Sequence, residues 1–74
     1  MTMDRSFNLP TLVQLLRRVD AGEAEKALRR IGEKRGLHDP YTKDEALWML
    51  DELAKEAGLL GVVARFARAR LFLS

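Results

Sequence analysis

The segment YTKDEALWMLDELAKEAG, residues 41 to 58, is punctuated at both ends by residues that leave the backbone few choices. Thr42 and Glu45 stand at the spacing of a capping box, in which a threonine hydroxyl and a glutamate carboxylate satisfy each other's free backbone amides. Gly58 is the residue best suited to the left-handed turn that follows a helix. Between these signals Ala46, Leu50, Leu53, Ala54 and Ala57 recur at helical spacing and make one apolar stripe. A helix over about 43 to 57 follows, and the rest of the chain is read as packing around it.

How much packing is available depends on size. A chain of 74 residues makes one domain, and a domain this small buries only about 60% of its unfolded surface. Disulfides, a metal or association with another chain are the usual reinforcements. Cysteine is absent, which removes disulfides and thiolate zinc ligands, and the single histidine, His38, leaves no basis for a His-based metal site. No cofactor and no metal are expected, and association is the reinforcement left open. The expected architecture is all-α, a small bundle of three to four short antiparallel helices completed by oligomerisation.

Upstream of the central helix, residues 1 to 8 lack helical periodicity and read as an extended N-terminal arm; residues 9 to 74 read as a single helical domain. Asn8 and Pro10 signal a helix start, and Leu9, Leu12, Val13, Leu16 and Val19 give a first helix, about 10 to 20, its apolar face. DAGE at residues 20 to 23 again has capping-box spacing and opens a second helix, about 21 to 35. Its stripe of Ala24, Ala27, Leu28 and Ile31 is thin, and Gly36 is its stop. LHDPY, residues 37 to 41, holds Pro40 and supplies the turn into the central helix. After Gly58 and Gly61, Val62, Phe66, Ala69 and Leu73 fall on one helical face. A fourth helix from about 62 to 72 fits this pattern best, while alternation across Arg68 to Leu73 also fits a terminal strand.

Charge is segregated along the chain. Six acids (Asp39, Asp44, Glu45, Asp51, Glu52 and Glu56) and only Lys43 and Lys55 lie between residues 37 and 61, whereas Arg65, Arg68 and Arg70 follow with no acid. No apolar run approaches the roughly 18 to 20 residues that span a bilayer. The first ten residues carry an acid beside a base and no apolar core, so a secretory signal is not expected there and a cytoplasmic location is.

Candidate functional residues come from apolar supply and from the arginines. Trp48 lies about 170° around the helix from the centre of the apolar stripe, among Asp44, Asp51, Glu52 and Lys55, which suits an interface anchor. With Met49, Phe66, Leu71 and Phe72 it makes the expected partner-binding set, for a second copy or a larger protein partner. Arg65, Arg68 and Arg70 are the alternative set, a phosphate-contacting patch for nucleic acid.

LAKEAGL, residues 53 to 59, resembles the first helix and turn of the helix-turn-helix of bacterial repressors. Ala54 and Gly58 stand at its small-residue positions and Leu53, Ala57 and Leu59 at its apolar ones. The resemblance implies that the following helix, about Val62 to Arg70, enters the major groove with Arg65 and Arg68 facing DNA. Ala64, Ala67 and Leu60 depart from the pattern, which has branched residues at the first two positions and a polar cap at the third. SFNLP before two short helices is similar to the ribbon-helix-helix regulators, although Asp4 places an acid on the strand that would touch DNA.

An enzyme is not expected. His38 and Asp39 are neighbours in a turn, Ser6 and Ser74 have no histidine placed to activate them, and no Gly-rich phosphate loop is present. The expected function is a small non-catalytic helical module for protein interaction or regulation, acting through an apolar helix face. The alternative is a helix-turn-helix-like DNA-binding regulator.

Overall fold

In the computed structural model, which describes residues 7 to 73, the chain is all-helical, with four helices in order: α1 (Leu9–Leu15), α2 (Ala21–Glu33), α3 (Lys43–Leu53) and α4 (Leu59–Leu73). Residues 1 to 6, most of the expected arm, lie outside the described residues. Its last two do not: Phe7 exchanges backbone hydrogen bonds with Tyr41 at 3.2 and 2.7 Å, and Asn8 caps α1.

Each start signal works through the group that the sequence supplies. Asn8 Oδ1 accepts from the Thr11 amide at 2.9 Å and opens α1. Asp20 Oδ2 accepts from the Glu23 amide at 3.1 Å and opens α2, one half of the reciprocal pair. At α3 both halves are made, Glu45 N donating to Thr42 Oγ1 at 3.1 Å and Thr42 N to Glu45 Oε1 at 2.9 Å. A cap of this kind stabilises its helix by about 1 kcal/mol.

The stop points differ from the sequence expectation in three places, in α1 and α3 because the turn begins before the apolar pattern ends, and in α2 because the closure around Gly36 takes up the last turn. α1 stops at Leu15 rather than near residue 20, since Asp20 must leave helical geometry to cap α2 and the chain reverses over Leu16 to Val19. Both ends of that turn, Leu16 and Val19, still point into the core. α2 ends at Glu33 in a Schellman closure, with Leu37 N donating to Gly32 O at 2.9 Å and Gly36 N to Glu33 O at 3.2 Å around Gly36 at φ 66°. α3 ends at Leu53, four residues short of the expected end. There the Lys55 and Glu56 amides bond three residues back instead of four, and Gly58 reverses the chain at φ 82°. α4 in turn begins at Leu59 and stays helical to Leu73, so the tail is not a strand.

The core is built on α3. Leu12 and Leu16 from the first segment, Leu28 from α2, and Met49, Leu50 and Leu53 from α3 are its largest fully buried side chains, each contributing about 1.5 to 3 kcal/mol of transfer free energy. α4 packs against α3 more extensively than any other pair of helices does, and does so with its small side: Gly61, Val63, Ala64, Ala67 and Leu71 are buried. Gly61 is the closest point. A β-carbon placed there would collide with the Glu56 carbonyl oxygen and stand 3.2 Å from that of Ala54, both in the turn that joins the two helices. Because those atoms are backbone, they cannot rotate away. Gly61→Ala is therefore expected to destabilise the fold by about 1 to 3 kcal/mol in urea denaturation, despite alanine's better helix propensity.

Candidate functional site

α4 is apolar on two sides, and α3 covers only one. Opposite the buried small residues, Leu59, Val62, Phe66 and Leu73 are 61, 48, 68 and 82% exposed, and Ala69 lies exposed in the same row. Their spacing is three, four, three, four, which keeps them in a single stripe along the helix. From Leu59 to Leu73 the stripe runs about 21 Å at the helical rise. This is the longest run of exposed large apolar side chains among the described residues.

One wall beside the stripe comes from elsewhere in the chain. Half-buried Leu15 closes α1, Arg17 and Arg18 follow in the turn, and all three face Leu59, Val62, Val63, Phe66, Ala67 and Arg70 across an open groove of about 520 Å³. Its floor is apolar and its charged lining is entirely cationic. Arg17, Arg18 and Arg70 have no acidic partner among the described residues.

The residues expected to form a partner surface divide. Phe66 is on the stripe, and Phe72, 62% exposed, flanks it. Met49 and Leu71 are corrections, being buried at 0 and 4% exposure. Met49 sits beside Leu50 in the α3 core face, wider than the sequence stripe suggested, and Leu71 falls on the same side of α4 as Ala64 and Ala67. Trp48 is half-buried against the core, and the Arg35 guanidinium lies 4.7 Å from its ring centroid, so one face of the indole is covered from within the chain. It stands on α3, apart from the groove.

The alternative cationic set divides too. Arg65 and Arg70 are exposed, whereas Arg68 is half-buried with Nε 3.3 Å from Asp51 Oδ1 on α3. Sequence reasoning missed Leu59 and the contribution of Leu15, Arg17 and Arg18. The signal for Leu59 was present in the spacing of residues 59, 62, 66, 69 and 73. Nothing local signalled the α1 wall, which depends on how the chain turns after Leu15.

A smaller hollow of about 230 Å³ collects His38 and Asp39 from the α2–α3 connection with Arg29, Glu33 and Tyr41. Burial, and after it the charge of Asp39, push the Tyr41 phenol above its ordinary value of 10.0. No group of three or more potential metal-ligating side chains occurs among the described residues, and no helix there is long and apolar enough to cross a membrane. The chain matches no family model, no curated protein and no solved structure.

Two measurements check this geometry. The chain has one tyrosine, so absorbance at 295 nm titrates Tyr41 directly, with a midpoint expected above 10 in buffer and near 10 in urea. Because the folded value is the raised one, this group's contribution to stability is whole below pH 10 and is lost as pH rises through the folded pKa; Tyr41→Phe lacks that loss. Likewise, Arg35→Ala is expected to cost about 0.5 to 1 kcal/mol and to expose the single tryptophan to iodide quenching.

Proposed function

We propose that the protein is a non-catalytic helical interaction module that binds another protein chain through the outward face of α4. The observation that carries this reading is the stripe of Leu59, Val62, Phe66 and Leu73, left exposed on a helix whose other side is already packed. Isolated surface leucines are ordinary, but a continuous apolar row beside an apolar groove is the pattern of recognition by a helix face. Antiparallel packing of neighbouring helices and completion of the small core by a second chain belong to the same proposal. A regulatory role would follow if the bound chain is held or released by this contact.

The second reading, a DNA-binding regulator, draws support from Arg65 and Arg70, exposed and without acidic partners among the described residues. It has to place Phe66, which lies between them around the helix, against a phosphate backbone that offers an apolar ring nothing. It also loses Arg68 to Asp51.

The deciding experiment combines sedimentation equilibrium with photo-crosslinking from residue 66 in the cells that make the protein, repeated with a mixed-sequence duplex at two salt concentrations. Association with itself or with a discrete protein, weakened at least tenfold by Phe66→Ser and unchanged by Lys26→Ser on α2, is the expected result. A monomer that yields no crosslinked product overturns the reading. A complex with the duplex that weakens steeply with salt and is lost in Arg65→Ala with Arg70→Ala transfers the function to DNA binding.

A further inference from the structure

The charges that flank the stripe say what kind of chain it takes. With Leu59, Phe66 and Leu73 at the first core position of a heptad and Val62 and Ala69 at the second, the flanking positions are Val63 and Arg70 on one side and Arg65 and Phe72 on the other. Flanking positions select partners by charge, and here every charged one is an arginine. A parallel pair of α4 helices would set Arg65 of one copy against Arg70 of the other. An antiparallel pair would bring like flanks together, again with no acid to meet an arginine. The far wall of the groove adds Arg17 and Arg18.

Among the described residues every large exposed apolar side chain lies on α4. The outer side of acidic α3 brings only Leu47 and Trp48 half-buried to the surface, with Arg35 over one face of the indole, so a second copy offers no acidic apolar row to meet the stripe. The apolar residues Ala46, Met49, Leu50 and Leu53 of acidic α3 are buried, and its Asp51 and Glu52 are engaged by Arg68 and Lys55. Glu56, just after it, holds Arg30 at 2.9 Å. A bilayer is a poorer fit as well, because three of the four large stripe residues, Leu59, Val62 and Phe66, line a concave groove between the end of α1 and α4 that a flat lipid interface would not fill, and Leu73 lies beyond it.

We infer that the groove between the end of α1 and α4 receives an acidic amphipathic helix from a different protein. Apolar residues at its core positions would lie along Leu59, Val62, Phe66 and Leu73, and Glu or Asp at its flanks would meet Arg17, Arg18, Arg65 and Arg70. The inference rests on the interaction reading above and narrows it from any protein chain to one of stated chemistry. The stripe's length of about 21 Å matches roughly two heptads of the partner.

The test is a selection on the immobilised full-length chain. The library displays three-heptad helices with Leu at both core positions and equal Glu, Gln and Lys at every flanking position. Enrichment of Glu at most flanks is expected, and a selected Glu peptide should bind at least tenfold more tightly than its Lys counterpart in a fluorescence-anisotropy titration. Arg17→Glu with Arg70→Glu should reverse that order; both side chains are exposed, and circular dichroism checks that the variant is folded. Enrichment of Lys or Gln, no enrichment, or a Glu preference that survives the charge reversal overturns the inference. So does binding to phosphatidylglycerol vesicles that depends on Phe66 while the peptides are ignored. If no peptide is selected but the chain associates with itself through Phe66, only this inference falls; if Phe66→Ser changes no association of any kind, the interaction reading falls with it.

Discussion

The seat of α4 on α3 is the contact that decides the rest of the molecule. α3 already presents Met49, Leu50 and Leu53 to the core, together with Leu12, Leu16 and Leu28 from the other segments, and all six are fully buried. A fourth helix joins such a face most readily with small side chains, which Ala64 and Ala67 supply, while Gly61 lets α4 start close against the turn that follows α3. The consequence is that the larger apolar residues of α4 are turned outward. Burying Phe66 in place of Ala64 would remove more apolar surface from water, but a ring where a methyl group is already fully buried would overpack the core. The exposed stripe is thus produced by packing, and not by a shortage of apolar residues inside.

Electrostatics reinforces the same division. The acids concentrated between residues 37 and 61 are largely used within the chain. Asp51 meets Arg68, Glu56 meets Arg30, Glu52 meets Lys55, and Glu45 completes the cap of α3. The Lys55 contact depresses the Glu52 carboxyl below its ordinary range, mainly through the hydrogen bond, while both side chains stay in contact with solvent. What remains is a set of arginines around the groove with no acid to neutralise them among the described residues. Exposed ion pairs add little to stability, so this arrangement bears on which partners are attracted more than on whether the chain folds.

Much of the fold was legible because helix punctuation is local. Asn8, Asp20 and Thr42 start helices where their side chains can reach an amide three residues on, and Gly36 and Gly58 take up the left-handed conformations that end them. The ends of the apolar patterns were poorer guides. Leu16 and Val19 are buried from a turn, because periodicity can record which residues face the core without recording the backbone that carries them, and past the end of α3 the pattern fails outright, Ala54 being only half-buried and Ala57 exposed. The same limit affected the candidate site. Phe66 and Phe72 were recognisable as surplus apolar residues, but Met49 and Leu71 were not recognisable as core, and Trp48 is half covered by Arg35 from the end of α2.

By itself, then, the sequence determined the all-helical class, the starting points of the first three helices, the absence of disulfides and the crowding of arginines after residue 62, because each depends on residues within one or two turns of one another. The fourth helix starts at Leu59 and not near residue 62, and the pattern at its end is also compatible with a strand. Only the tertiary structure decided which side of α4 faces inward and that Arg17 and Arg18 stand across a groove from Arg70. A helix that is apolar on two sides carries no internal preference between them. The choice belongs to the packing of α4 against the core that Met49, Leu50 and Leu53 help to form, and that core exists only once the other three helices are in place.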